Sequence, residues 1–328
     1  MLRAWRCLSL VFLMSLAMLA STAEAYTQRL VVAGLGNKQC TAYFHYMGAS
    51  MVWPVLLSLR GTGIYSTAAV ARLDGAERRL YEEGRITVLT LDKPGIEPDA
   101  LVPTALRVDD TKYNDYVQDD LVQCSRNAMT WAMRRVTPGA HPYLLFSGHS
   151  EGAQITVRLL EMLTANGDPL APQVKALFLS GLPMVDWRSM LKAQLNQNDR
   201  RTFFTAFQRQ DDHVLRSFGN LSFHYLKAVF AQEPLARTLD RLRDEGTSAR
   251  FFVYHGLYDR NTPPAAVMTF AADNRARRAR HEKALNLSAR YYPSGHGLNY
   301  QAIHDIRSDL ETVVGALGHS SDAQIAMH

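Results

Sequence analysis

The chain has 328 residues, 47% of them hydrophobic and 20% charged, with a formal net charge of +5. That length suits one α/β domain with insertions, and no repeats or low-complexity runs appear. Charges of both signs are interspersed, so no block of charge marks a nucleic-acid-binding surface and no nucleic-acid partner is expected.

Residues 1–25 carry the pattern of an export signal. Arg3 and Arg6 precede an apolar run from Leu8 to Ala20, which ends in the small-x-small triplet Ala23-Glu24-Ala25. The run is short for a bilayer span and no later stretch reaches its length. The expectation is a removed leader and a secreted or periplasmic product without a stable membrane anchor. Cys40 and Cys124 then remain; they can pair in an oxidising compartment, and the sequence leaves open whether they meet. Neither these cysteines nor the eleven histidines show metal-ligand spacing, so no catalytic metal and no cofactor is expected. Gly34-Leu35-Gly36 begins like a dinucleotide fingerprint, but Gln39 stands where the third glycine is needed.

Residues 26–47 hold two β-rich runs, the antiparallel start of a sheet. Strands are expected at Val55–Leu59, 85–91, 143–147 and Val174–Ser180, with helical periodicity at 66–83 and 113–135. This alternation gives a mostly parallel sheet with helices on both faces, and ligands bind outside the carboxyl ends of such strands. From 181 to 246 the alternation stops in a segment of helical composition with eight aromatics: Trp187, Phe203, Phe204, Phe207, Phe218, Phe223, Tyr225 and Phe230. Strands return at 250–254 and 288–292. The basic stretch Arg275-Ala276-Arg277-Arg278-Ala279-Arg280 reads as a solvated helix face. The domain is expected to close at 318, with 319–328 a small, polar, mobile tail.

Gly148-His149-Ser150-Glu151-Gly152 lies between the apolar run 143–146 and a segment with helical spacing. Gly-x-Ser-x-Gly in that context is a nucleophile elbow, a sharp turn that pushes the serine hydroxyl out of the sheet. A serine needs a base and an acid, here expected downstream in the order acid, then histidine. Asp259 follows the 250–254 strand in His255-Gly256-Leu257-Tyr258-Asp259, and competes with Asp186 and Asp305 for the acid's place. His296 lies between two glycines after the last strand. No His-x-x-x-His pattern with a helper acid competes with it.

On these motifs, and on Asp92-Lys93-Pro94-Gly95 after the fourth strand, the chain resembles the α/β-hydrolase superfamily over about residues 50–318. The resemblance implies a central sheet with a helical cap over the active site at 181–246, whose aromatics would line an acyl or side-chain pocket. It also implies two backbone oxyanion donors: the N–H of Glu151, and one from Arg60-Gly61-Thr62-Gly63 after Val55–Leu59. Thr62 is the first choice there, with Gly61 and Gly63 beside it; Arg60 stands where many relatives have histidine. The function implied is ester hydrolysis through Ser150, His296 and Asp259 on a small-molecule ester or acyl substrate. A serine peptidase or amidase is the alternative, although peptidase branches with this motif usually carry a propeller domain for which this chain has no room. A non-catalytic secreted binding protein on the same fold is a third reading.

Overall fold

The computed structural model describes residues 24–48, 50–63, 66–68, 75–98, 106–135 and 142–325. Of the leader expected at 1–25, residues 1–23 lie outside the described residues, as does 69–74 of the helix expected at 66–83. The described residues contain ten strands: β1 (Ala25–Ala33), β2 (Gln39–Met47), β3 (Val55–Leu59), β4 (Thr87–Asp92), β5 (Ile96–Pro98), β6 (Leu106–Val108), β7 (Leu144–His149), β8 (Val174–Ser180), β9 (Arg250–Gly256) and β10 (Asn286–Tyr292). Eight form one sheet in the order β1-β2-β4-β3-β7-β8-β9-β10, while β5 and β6 pair separately. β2 is antiparallel to both neighbours, and every pair from β4 to β10 across the sheet is parallel.

The helices are α1 (Gly75–Glu82), α2 (Asp110–Asp115), α3 (Gln118–Met133), α4 (Glu151–Ala165), α5 (Trp187–Gln194), α6 (Gln197–Arg209), α7 (Asp212–Arg216), α8 (Phe223–Ala231), α9 (Leu235–Glu245), α10 (Pro264–Ala279) and α11 (Tyr300–Ile325). Central strands are buried on both faces, which is why they read as unbroken apolar runs. Alternate residues serve opposite layers. Leu57, Phe146, Leu177 and Phe251 join the core that also buries α3 and α4. Leu56, Leu145, Phe178 and Phe252 join the one that buries α1 and α11. Cys40 on β2 and Cys124 on α3 form a disulfide that ties sheet to helix.

Three expectations change. The helix expected over 113–135 is two, because Tyr116 and Val117 are extended and the Asp120 carboxylate accepts the Val117 N–H at 2.9 Å to start α3. The small, polar tail expected from 319 continues α11 as helix to Ile325, since nothing after Gly318 breaks it. The cap is also narrower than 181–246. α5 to α8 each begin at a side-chain cap, with Asp186, Asn196, Asp211 and Ser222 accepting a backbone N–H three residues on. α9 instead packs on α4 and buries Leu235, Leu239 and Leu242 in the sheet's core. The helices that stack away from the sheet, called the cap below, span 187–231.

Candidate active site

Ser150 stands between β7 and α4 with φ 55° and ψ −119°, a strained backbone for a residue with a Cβ. The turn is held from both sides. Its N–H donates to the Ser180 carbonyl at 2.8 Å, and its own carbonyl accepts from Ala153 and Gln154. The flanking glycines are a steric requirement: a Cβ on Gly148 would lie 2.6 Å from Ala153, and one on Gly152 would lie 2.1 Å from the Leu59 carbonyl oxygen.

The loop after β9 carries Asp259, which is buried. Its carboxylate accepts the N–H groups of Asn261 and Thr262 at 2.8 and 2.9 Å and the Thr262 hydroxyl at 2.6 Å. Its Oδ2 lies 2.8 Å from His296 Nδ1. His255 Nε2 donates to the Thr262 carbonyl at 2.6 Å and closes the loop. Burial by itself would raise the Asp259 carboxyl, but the hydrogen bonds from His296 and Thr262 outweigh it and hold it down at about 2. The carboxylate therefore stays charged and keeps a proton on His296 Nδ1. Asp186 and Asp305 are engaged elsewhere: the first caps α5, and the second accepts the Tyr292 hydroxyl at 2.9 Å. His149 packs against His296 with the rings tilted by 44° and their centroids 4.8 Å apart. Burial, then the neighbouring His296, lowers His149 to about 4, so it is neutral at neutral pH.

Ser150 and His296 line one cavity of about 720 Å³ together with Arg60, Gly61 and Thr62. Gly61 packs against the serine, since a Cβ there would lie 3.1 Å from Ser150 Cβ. As the first residue of α4, Glu151 has an N–H without an intrahelical acceptor. Trp187, Met190, Leu191, Phe218 and Leu221 form the apolar wall. Phe203, Phe204 and Phe207 are absent from it, contrary to expectation. Phe203 lies edge-on to Phe204 and Phe218 at 5.3 and 5.4 Å, and Phe207 packs on Phe223 and Phe230. Small helices stacked on one another need an apolar interior of their own, and these rings supply it.

A buried polar cluster behind the serine had no counterpart in the sequence reading. The Glu151 carboxylate accepts from Lys93 at 2.9 Å, from the Tyr116 hydroxyl at 2.6 Å and from the Tyr225 hydroxyl at 2.7 Å. Burial, then the Glu151 charge, pushes both phenols far above their usual range and keeps them as donors. The signal for it was Lys93, a charged residue directly after the buried β4. The Trp187 indole on α5 donates to Gln154 on α4 at 2.7 Å, a second link to the helix that follows Ser150. Among the described residues, no three or more His, Cys, Asp or Glu side chains gather as a metal site. Nor is any helix among them long and apolar enough to cross a membrane.

A mostly parallel eight-stranded sheet, a serine elbow after β7, an acid after β9 and a histidine after β10 define the α/β-hydrolase fold. Solved structures share it. A puromycin-hydrolysing peptidase from Mycobacterium tuberculosis superposes with a TM-score of 0.57 at 16% identity, over 90% of this chain and 40% of that one. This chain thus spans two-fifths of that peptidase's length. Brefeldin A esterase, a bacterial homologue of human hormone sensitive lipase, gives 0.51 at 16% identity over 92% and 77%. An esterase from Rhodococcus sp. ECU1013 gives 0.53 at 12% identity over 88% and 99%. No family model and no curated protein sequence matches the chain.

Proposed function

We propose that the chain is an exported serine hydrolase that cleaves a carboxylic ester through an acyl-enzyme. The observation that carries this reading is the meeting of strained Ser150 and the Asp259-bound His296 at one cavity. His296 takes the proton of Ser150 Oγ as that oxygen bonds to the acyl carbon. The tetrahedral oxyanion is stabilised by the N–H groups of Glu151 and Thr62. Its collapse breaks the bond to the alcohol oxygen, which leaves with the proton from His296. Water, deprotonated by the same imidazole, then releases the acid and restores the serine.

The cavity favours an ester over a short peptide. Among the described residues its lining includes Arg60 and no carboxylate to hold a charged amino terminus, while Trp187, Leu191 and Leu221 suit an acyl group. The leader pattern and the Cys40–Cys124 bond support an oxidising destination. Arg277 and Arg280 pair with Asp273 and Glu282, which supports a solvated helix face over a nucleic-acid patch. The test is labelling by a fluorophosphonate probe, followed by turnover of acyl esters against aminoacyl amides. Labelling should occur in wild type and vanish in Ser150→Ala, with esters preferred. Persistent labelling of Ser150→Ala would overturn the mechanism, and a preference for amides would overturn the substrate class.

A further inference from the structure

We propose that Lys93 is the positioning residue of the oxyanion hole, orienting both of its backbone donors from behind; this rests on the serine-hydrolase reading above. The Lys93 ammonium is buried at the end of β4 and reaches two groups. It donates to Glu151 Oε2 at 2.9 Å and lies 3.4 Å from the Gly61 carbonyl oxygen. That carbonyl is one half of the peptide unit whose other half is the Thr62 N–H. In a planar trans peptide the two bonds point in opposite directions. A cation that holds the carbonyl on one side therefore sets the N–H on the other, and by polarising the unit it strengthens that donor.

The second donor is governed through its own side chain. The Glu151 carboxylate is pinned at three points, by Lys93, by Tyr116 and by Tyr225 from the cap. Pinning it fixes the first residue of α4 and hence the direction of the Glu151 N–H. Thr62, Lys93, Tyr116, Glu151 and Tyr225 line one small cavity behind the serine, so both halves of the hole share this support. A buried ion pair is weak evidence for stability, because desolvation offsets much of its attraction. Its placement behind both donors gives it a different use, in the transition state.

Lys93→Met leaves Glu151 as an unpaired buried charge and can fail to fold. The informative variant is therefore Lys93→Met with Glu151→Gln, beside Glu151→Gln with Lys93 kept. Each is measured for cooperative melting, for kcat and KM on the best ester, and for inhibition by a trifluoromethyl ketone, which forms an oxyanion on Ser150. The double variant should lose kcat by on the order of 10² with KM little changed, and its affinity for the ketone should weaken by a similar factor. Glu151→Gln, which loosens one donor, should lose about tenfold in kcat with the same split, and it carries the test if the double variant does not fold. Folded variants with wild-type kcat would overturn the proposal, as would a loss of kcat with ketone affinity unchanged. A wild-type protein with neither ester turnover nor ketone binding would overturn the hydrolase reading itself, a result distinct from variants that equal wild type.

Discussion

Phe203 and Phe218 meet edge to face with ring centroids 5.4 Å apart, and of the two Phe218 lines the cavity beside Ser150. One contact thus joins the cap's interior to its working surface. Phe218→Ala and Trp187→Ala should shift acyl-chain preference by about 10- to 200-fold between neighbouring substrates. Phe203→Ala should instead cost about 3–5 kcal/mol of stability with the preference profile unaltered. Values of kcat/KM across an acyl series, with urea midpoints, separate the two classes. A changed profile in Phe203→Ala at an unchanged midpoint would place the pocket deeper in the cap.

Asp259→Asn should lower kcat by about 10⁴, because an amide no longer fixes the His296 tautomer. Asp186→Asn and Asp305→Asn, whose carboxylates cap α5 and hold Tyr292, should keep near-wild-type kcat. Steady-state kinetics on the best ester decide it. A mild Asp259→Asn would remove the acid from this mechanism.

Replacing Cys40 and Cys124 by serine opens a link between residues 84 apart in the chain. The expected cost is about 4 kcal/mol of unfolding free energy. Neither residue lines the cavity, so kcat should hold at temperatures where the variant remains folded. Urea denaturation of wild type and double serine variant checks the first statement, and ester turnover at 20 °C (a temperature chosen well below any expected transition, on the order of 50 °C for a mesophile domain) checks the second.

His45 is fully buried on β2, with Nε2 donating to the Thr67 carbonyl at 3.2 Å and Nδ1 accepting from the Thr27 hydroxyl at 3.0 Å. Burial lowers it from 6.5 to about 4. Between those values the unfolded chain binds the proton and the folded one does not, so stability falls as pH drops. The contribution is complete above about pH 6.5, and its loss approaches about 3 kcal/mol as pH reaches about 4. His45→Gln should flatten this acid limb in urea midpoints taken from pH 7 down to pH 4.5. A residual slope is expected from His149, which has the same sign. An identical slope in variant and wild type would show that His45 carries none of the acid sensitivity.

The elbow was legible in the sequence because its chemistry is local. Gly148 and Gly152 mark where a strand and a helix pack too closely for a Cβ, and five consecutive residues express that constraint. The order of acid and then histidine came with the elbow motif, and strand ends visible in the periodicity located Asp259 and His296 as the candidates. The Lys93–Glu151 pair was not legible, since its partners lie 58 residues apart and nothing in either local pattern points to the other. The break at Tyr116 was hidden for a related reason: helical spacing continues across it, and what stops the helix is the Asp120 side chain accepting the Val117 N–H. Nor could composition tell Phe203 from Phe218, because an aromatic in a helix looks the same whether it faces a neighbouring helix or a cavity.

The bonds from Trp187 to Gln154 and from Tyr225 to Glu151 fasten the cap to the helix that begins at the serine. A wall tied to that helix by two buried hydrogen bonds is held more firmly than one carried on loops alone. Association then freezes few rotors, so more of the contact energy survives as affinity. On the proposed hydrolase reading, acyl groups are then sorted by shape against this wall.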